Sequence, residues 1–149
     1  MTTSRKTPRA RPTFSLVGEA PETGAMAASD AIDHIRGGFR WEEVRRYQES
    51  FQIKDRQFAK ILGVSDRTLT RTRRKKAPLD SIASDRFYRT AKVLGLAAGV
   101  FEDVPRAVRW LQREQPGLGG KAPLSLLDTE PGTHAVETLL TQLEYGVLP

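Results

Sequence analysis

The stretch from Asp55 to Lys76, DRQFAKILGVSDRTLTRTRRKK, constrains the fold more than any other part of the sequence. Ala59, Gly63 and Leu69 supply the small, flexible and apolar positions that two helices joined by a tight turn require. A small side chain at Ala59 lets the helix backbones approach where they cross. The glycine suits the turn, because a chain often leaves a helix through a positive φ that only glycine adopts cheaply. The spacing therefore predicts a helix-turn-helix unit.

The second helix of this unit is predicted to begin after Ser65, whose hydroxyl can accept a hydrogen bond from an unpaired amide of the first turn. A recognition helix presents its N-terminal residues to base edges, and flanking basic residues hold phosphates. The residues that we expect to contact DNA are Ser65, Arg67, Thr68, Thr70, Arg71, Arg73, Arg74, Lys75 and Lys76. We expect base contacts from Arg67, Thr70 and Arg71, and phosphate contacts along the basic run from Arg73 to Lys76. The alternative is an ordinary helical hairpin with a solvated, charged face.

The charge of the chain is concentrated in the same unit. Residues 54–77 hold nine Lys and Arg against two Asp, a net charge of +7, whereas the whole chain carries +6. Residues 1–29 hold four Lys and Arg against two Glu, and the rest of the chain is slightly acidic. A compact basic patch attracts phosphate backbones and releases counterions on binding. The remainder of the chain lacks this positive charge, so we expect it to bind a partner other than nucleic acid.

The rest of the sequence predicts further helices and no strand. Apolar residues recur at helical spacing near residues 30–47, where Gly37-Gly38 interrupts the pattern, and near residues 85–98, 104–114 and 133–145. Residues 79–84 and 128–132 are expected to be connections, and Gly99 is expected to end the helix before it. The glycine-rich run 115–121 follows a helix and lacks a Lys-Ser/Thr ending, so we predict a structural turn there instead of a phosphate loop.

These segments predict an all-α fold with an N-terminal helix-turn-helix domain followed by a small helical domain. The predicted boundaries are a disordered basic tail over 1–29, the DNA-binding domain over 30–103 and a second domain over 104–149. The tail is rich in Thr, Arg, Pro, Gly and Ala and shows no period. It is either an arm that touches DNA or a leader without a role.

Several function classes find no support in the sequence. The chain has no cysteine, and its two histidines, His34 and His134, lie in no metal-binding motif. No phosphate loop or nucleophile elbow is present, so we expect no enzyme activity, no metal and no cofactor. No apolar run is long enough to span a membrane, and the N-terminus does not resemble a secretory signal, which favours a cytoplasmic protein.

The order and spacing of many residues between Gly38 and Gly146 resemble the antitoxins of the Xre/MbcA/ParS group, which join a helix-turn-helix to a C-terminal toxin-binding domain. The resemblance is carried by Leu62-Gly63-Val64, Arg67-Thr68-Leu69, Arg73-Arg74, Ser84-Asp85-Arg86, Arg89, Ala91, Phe101-Glu102-Asp103, Ala107, Trp110-Leu111, Pro116, Leu118-Gly119-Gly120, Pro123-Leu124, Leu127, Gly132, Val136, Leu140 and Glu144-Tyr145-Gly146. Each of these features is weak evidence alone, whereas their order and spacing together are specific to the family.

The resemblance implies a type II toxin–antitoxin module. Such an antitoxin binds and silences a cognate toxin, often a RES-domain protein that consumes NAD, and it represses the shared operon through operator DNA. The nearly neutral C-terminal region would cover the active site of the toxin. The residues expected to bind the toxin are Glu137, Thr141, Glu144, Tyr145, Gly146, Val147 and Leu148. Tyr145 is the expected anchor, although a last-turn residue that only extends the apolar stripe of its helix is equally compatible with the sequence.

These features also bear on how the chain assembles and on which other function they allow. Helix-turn-helix proteins commonly bind a palindromic site as two-fold dimers, so we expect a homodimer within the complex with the toxin. The competing interpretation is a stand-alone transcription regulator whose C-terminal half dimerises or senses a ligand. A gene for a small RES-type enzyme beside the gene for this chain would favour the antitoxin.

Overall fold

The computed structural model describes residues 28–147, and within this range the chain is helical. The seven α-helices are α1 (Ala28–Gly37), α2 (Trp41–Ser50), α3 (Asp55–Leu62), α4 (Asp66–Lys75), α5 (Ser81–Phe101), α6 (Val104–Gln112) and α7 (Glu130–Glu144). Two short 3-10 helices, Pro116–Leu118 and Pro123–Leu126, lie between α6 and α7. The only strand-like pairing in this range is one bridge between Gln115 and Lys121, so the all-α prediction is confirmed. The predicted tail falls mostly outside the described residues, and its last two residues, 28 and 29, open α1.

The long helix α5 is the element against which most of the others pack. It contacts α1 and α3 on the N-terminal side of the fold and α6 and α7 on the C-terminal side. Its Val93, Leu94 and Ala97 side chains are completely shielded from solvent. One continuous cluster of buried apolar side chains runs from Phe39 in the N-terminal half to Leu140 in α7. The two predicted domains therefore share one hydrophobic core.

Helix α5 is longer at both ends than the sequence pattern indicates. Asp80 caps it, because its carboxylate accepts a hydrogen bond from the Ala83 amide at 2.8 Å. The predicted connection over residues 79–84 is therefore wrong, since most of it forms the first turn of α5. Ser84 is fully buried there, and its hydroxyl accepts a hydrogen bond from the amide of Phe39 at 3.0 Å. At the other end the helix continues past Gly99 to Phe101, and Glu102 provides the left-handed cap with a φ of 54°.

The last helix also begins earlier than predicted. Thr129 caps α7 by accepting a hydrogen bond from the Gly132 amide at 3.1 Å, and Pro131 lies in the first turn, where a missing amide proton is harmless. The predicted break over residues 128–132 is thus the start of the helix. In contrast, the turn predicted over residues 115–121 is present, because the backbone amide of Gln115 donates to the carbonyl of Lys121 at 3.1 Å.

Two adjacent glycines after α1 offer a matched test of the packing. Gly38 has a φ of +84°, and a Cβ there would lie 2.3 Å from the backbone oxygen of Leu79, just before α5. The Gly37 position has open space around its Cβ direction. We expect Gly38→Ala to lower the free energy of unfolding by about 2–4 kcal/mol, from the unfavourable φ and the backbone clash together. Gly37→Ala should change it by less than about 0.5 kcal/mol.

Urea denaturation followed by circular dichroism measures both variants. Equal stability losses at the two positions would contradict the close approach of the residue-38 backbone to the start of α5.

Candidate nucleic-acid and protein interfaces

Helices α3 and α4 form the predicted helix-turn-helix. Gly63 ends α3 in the left-handed conformation with a φ of 70°, as the sequence indicated. Ser65 caps α4, because its hydroxyl accepts a hydrogen bond from the Thr68 amide at 3.0 Å. The turn also receives a contact from α5, since a Cβ at Gly63 would collide with the guanidinium of Arg86. The backbone conformation therefore favours glycine at this position, and the flexible Arg86 side chain packs into the space beside it.

The outward face of α4 carries most of the predicted DNA-binding side chains. The exposed ones are Arg67, Thr70, Arg71, Arg74, Lys75 and the C-cap residue Lys76. Ser65 donates its hydroxyl proton to Thr68 at 2.9 Å, and the Thr70 hydroxyl donates to the Asp66 carbonyl at 2.9 Å. These hydroxyls therefore support the helix start first and have less freedom to donate to a ligand. The exposed cations have no such internal partner: within residues 28–147, none of Arg74, Lys75 and Lys76 forms an ion pair.

Arg73 differs from the rest of the basic run, because its guanidinium points back into the fold. Both of its terminal nitrogens donate to the carboxylate of Asp55 at the start of α3. The same guanidinium lies 5.6 Å from the centre of the Trp41 ring and 3.5 Å from the side-chain oxygen of Gln48. Hydrogen bonds from Arg73 and Gln48 hold the pKa of Asp55 at about 2, and the pairing raises the pKa of Arg73. The ion pair therefore persists at any pH near neutrality.

The second candidate surface is the exposed face of α7. Thr133, Val136, Leu139 and Leu140 are buried against the rest of the fold. Beside this buried stripe lie Glu130, Glu137 and Glu144, which recur every seven residues and so follow one side of the helix. None of them forms an ion pair within the described part of the chain. The last 28 residues of the sequence, 122–149, contain no Lys or Arg. This end of the protein is acidic, although the chain as a whole is basic.

The acidic face continues into exposed apolar side chains at the end of α7. The side chain of Tyr145 is 76% exposed and that of Val147 is 54% exposed. The backbone around them is held in place, because the amide of Gly146 donates to the Leu143 carbonyl and that of Val147 donates to the Gln142 carbonyl at 2.8 Å. Of the predicted toxin-binding residues, Thr141 and Glu144 are exposed and Glu137 is half-buried. Leu148 lies outside the described residues.

The two candidate surfaces are on different elements that are linked through α3 and α5. Helix α4 packs on α3, and both α3 and α7 pack on α5. An ion pair of 3.8 Å between Lys60 of α3 and Asp128, just before α7, also joins the two halves. Sequence patterns did not reveal this link, the Asp55–Arg73 pair or the contact of Arg86 with the turn. Each joins residues that are far apart in the chain and share no period.

No metal-binding or membrane-spanning feature accompanies these surfaces. The described residues include no group of three or more His, Cys, Asp or Glu side chains arranged to hold a metal ion. His34 instead contacts the carbonyl of Asp30 at 2.8 Å through its Nδ1 atom. Among the helices described, none has the length and apolar character needed to cross a membrane.

Comparison with protein-family models assigns each surface to a known domain. Residues 30–92 match the antitoxin Xre-like helix-turn-helix domain. Residues 96–146 match the antitoxin Xre/MbcA/ParS C-terminal toxin-binding domain. The two matches meet within α5, which agrees with the shared core. The recognition helix thus falls in the first match, and α7 falls in the second.

Individual relatives carry antitoxin names. A Yersinia enterocolitica protein called antitoxin Xre is 31% identical over 117 residues, which cover 78% of this chain and 79% of that protein. A Pseudomonas putida antitoxin Xre is 35% identical over 80 residues, 54% of this chain and 50% of the relative. A Sphingobium protein named Prs ADP-ribosylating antitoxin is 26% identical over 126 residues, with coverage of 78% and 79%.

Proposed function

The chain belongs to the Xre antitoxin family, and from this membership we propose that it neutralises a cognate RES-type, NAD-degrading toxin by covering the toxin's active site. We further propose that it represses its own operon through the helix-turn-helix, in the cytoplasm where operator DNA is present. The two activities are assigned to two different surfaces of one shared core. The observation that carries the proposal is the unpaired acidic face of α7, which ends in exposed Tyr145 and Val147 within the toxin-binding domain.

The charge of this face supports the proposal that the toxin acts on NAD. A RES-type toxin of the proposed kind consumes NAD, and the diphosphate of NAD is anionic. A site that binds such a substrate needs cationic groups. An α7 surface with glutamates and no lysine or arginine complements a site of that kind, and its exposed tyrosine supplies apolar area with one hydroxyl. We therefore assign toxin binding to Glu137, Thr141, Glu144, Tyr145, Gly146, Val147 and Leu148.

Operator binding is assigned to the exposed face of α4. Arg67, Thr70 and Arg71 lie among its first six residues and are proposed to contact bases, with Ser65 and Thr68 at the helix start. Arg74, Lys75 and Lys76 are proposed to contact phosphates, because they are exposed and form no ion pair with any residue of the range 28–147.

A first prediction separates base contacts from phosphate contacts. Replacing Arg71 by Ala should cost about 1–3 kcal/mol of binding to the cognate operator and weaken sequence preference. Replacing Lys75 by Ala should weaken binding to all sequences alike and reduce the slope of log affinity against log salt by about one. The control is Arg113→Ala, which removes the same charge from an exposed position after α6. Fluorescence anisotropy with the promoter duplex measures all three, and affinity independent of salt would contradict the phosphate contacts.

A second prediction concerns assembly. A single ten-residue recognition helix buries little surface on DNA, so we propose that the chain binds a two-fold operator as a homodimer. Light scattering of the protein with and without operator DNA should show two chains per duplex. A monomer under both conditions would exclude this arrangement.

A third prediction concerns neutralisation of the toxin. A chain ending after Leu143 lacks Glu144, Tyr145 and the residues after them but keeps the buried stripe of α7. We expect it to fold and bind DNA nearly as well as the full chain, yet to fail to protect cells that express the toxin. Charge reversal in the full chain, Glu144→Lys, should also weaken the complex with purified toxin. Glu42→Lys, the same change at an exposed position of α2, should leave it intact.

Growth assays with the neighbouring toxin gene and titration calorimetry with purified toxin measure these effects. If the shortened chain still protects cells and still inhibits the toxin, then the active site is not covered by the end of α7. If no toxin gene accompanies the chain, the interpretation as a stand-alone regulator applies.

A further inference from the structure

The attachment of α4 to the rest of the protein depends on very few side chains. Of its ten residues only Leu69 is buried. Arg73 follows Leu69 by four residues, so both side chains lie on the inward face of the helix, one turn apart. Where an apolar residue would ordinarily continue this face, the chain has an arginine. The second half of the recognition helix is therefore attached mainly through that arginine.

The side chains around Arg73 form a site that matches the shape and charge of a planar guanidinium. Asp55 of α3 accepts hydrogen bonds from both of its terminal nitrogens. Trp41 of α2 is buried and offers its ring to the guanidinium at 5.6 Å. Gln48 of α2, also buried, donates to the Asp55 carboxylate at 2.7 Å and to the Ile53 carbonyl at 3.1 Å. The hydrogen bond from Gln48 helps to hold the Asp55 carboxylate in the position that Arg73 contacts. Helices α2 and α3 together thus hold the C-terminal half of α4.

We propose that Arg73 is a positioning residue, which orients the recognition helix through Asp55, Trp41 and Gln48 and does not contact a DNA phosphate. The proposal rests on DNA binding by α4, and it replaces the sequence-based expectation of a phosphate contact at this position. A guanidinium suits the role because it pairs in a fork with a carboxylate and stacks on an aromatic ring, whereas a lysine does neither. Orientation matters for recognition, because base contacts from the first half of α4 require the helix to enter the groove at a fixed angle.

Asp55→Asn distinguishes a positioning arginine from a phosphate ligand, because the two roles predict opposite signs. The substitution removes a negative charge near α4, which by itself favours DNA, and it keeps an oxygen that can accept from Gln48. If Arg73 positions the helix, losing its carboxylate should weaken operator binding by about threefold or more. If Arg73 is a phosphate ligand that Asp55 competes for, the variant should bind more tightly and show a steeper salt dependence.

Arg73→Lys provides the second arm of the experiment, with Lys75→Gln as its matched control. A lysine at residue 73 keeps the positive charge, so it would serve a phosphate nearly as well as the arginine does. We expect Arg73→Lys to lose at least about threefold in affinity with an unchanged salt slope. Lys75→Gln should reduce the slope by about one. Neutralisation of the toxin should be unaffected in all three variants, which shows that the core is folded. Full operator affinity in Arg73→Lys, or a tighter Asp55→Asn, would overturn the proposal.

A double-mutant cycle in the absence of DNA keeps the inference separate from the proposed function. Thermal unfolding of Asp55→Asn, Arg73→Lys and the double variant should give melting-temperature losses that are clearly less than additive, because either change alone removes the forked pairing of the guanidinium with the carboxylate. If the full chain binds no promoter duplex at all, the proposal of operator binding is wrong. The coupling between Asp55 and Arg73 is then still measured by the cycle. Additive losses would show that the two side chains do not act together, and the positioning role would then be wrong.

Discussion

The packing of α5 against four other helices is the constraint on which the rest of the structure depends. This helix belongs partly to each of the two matched domains, and its buried face is continuous from one half of the protein to the other. Small residues such as Ala91 and Ala97 let neighbouring helices approach it closely. A substitution that enlarges this face would disturb both halves, so loss of DNA binding and loss of toxin binding after such a change reports on the core and not on either surface.

The two surfaces on this core have opposite electrostatic character. The helix-turn-helix region, residues 54–77, has a net charge of +7, whereas residues 122–149 contain acidic residues and no lysine or arginine. Segregated charge of this kind steers partners of opposite sign to different surfaces and disfavours binding of either partner at the wrong surface. The ion pair between Lys60, whose side chain is exposed, and Asp128 is the exception, because it joins the two charge types where the halves meet.

The sequence predicted what depends on local chemistry and on helical periodicity. The turn glycine, the cap at Ser65 and the apolar stripes of α5 and α7 follow from neighbours within a few residues. The predicted starts of α5 and α7 were wrong because Ser84 lies within α5, where its hydroxyl accepts from a distant backbone amide, and because a proline in a first turn continues a helix. Arg73 shows a third kind of limit. Its charge suggested a solvent-facing role, whereas its partners lie on two other helices, at sequence distances that no pattern records.

Hydrogen–deuterium exchange tests most directly whether the two activities use different surfaces of one core. It is measured on the full chain, bound separately to its promoter duplex and to its toxin. The account predicts that DNA slows exchange in α4 and leaves α7 unchanged, whereas the toxin slows exchange at the end of α7 and leaves the outward face of α4 unchanged. Protection of α4 by the toxin, with no change in α7, would contradict the assignment of neutralisation to the C-terminal helix.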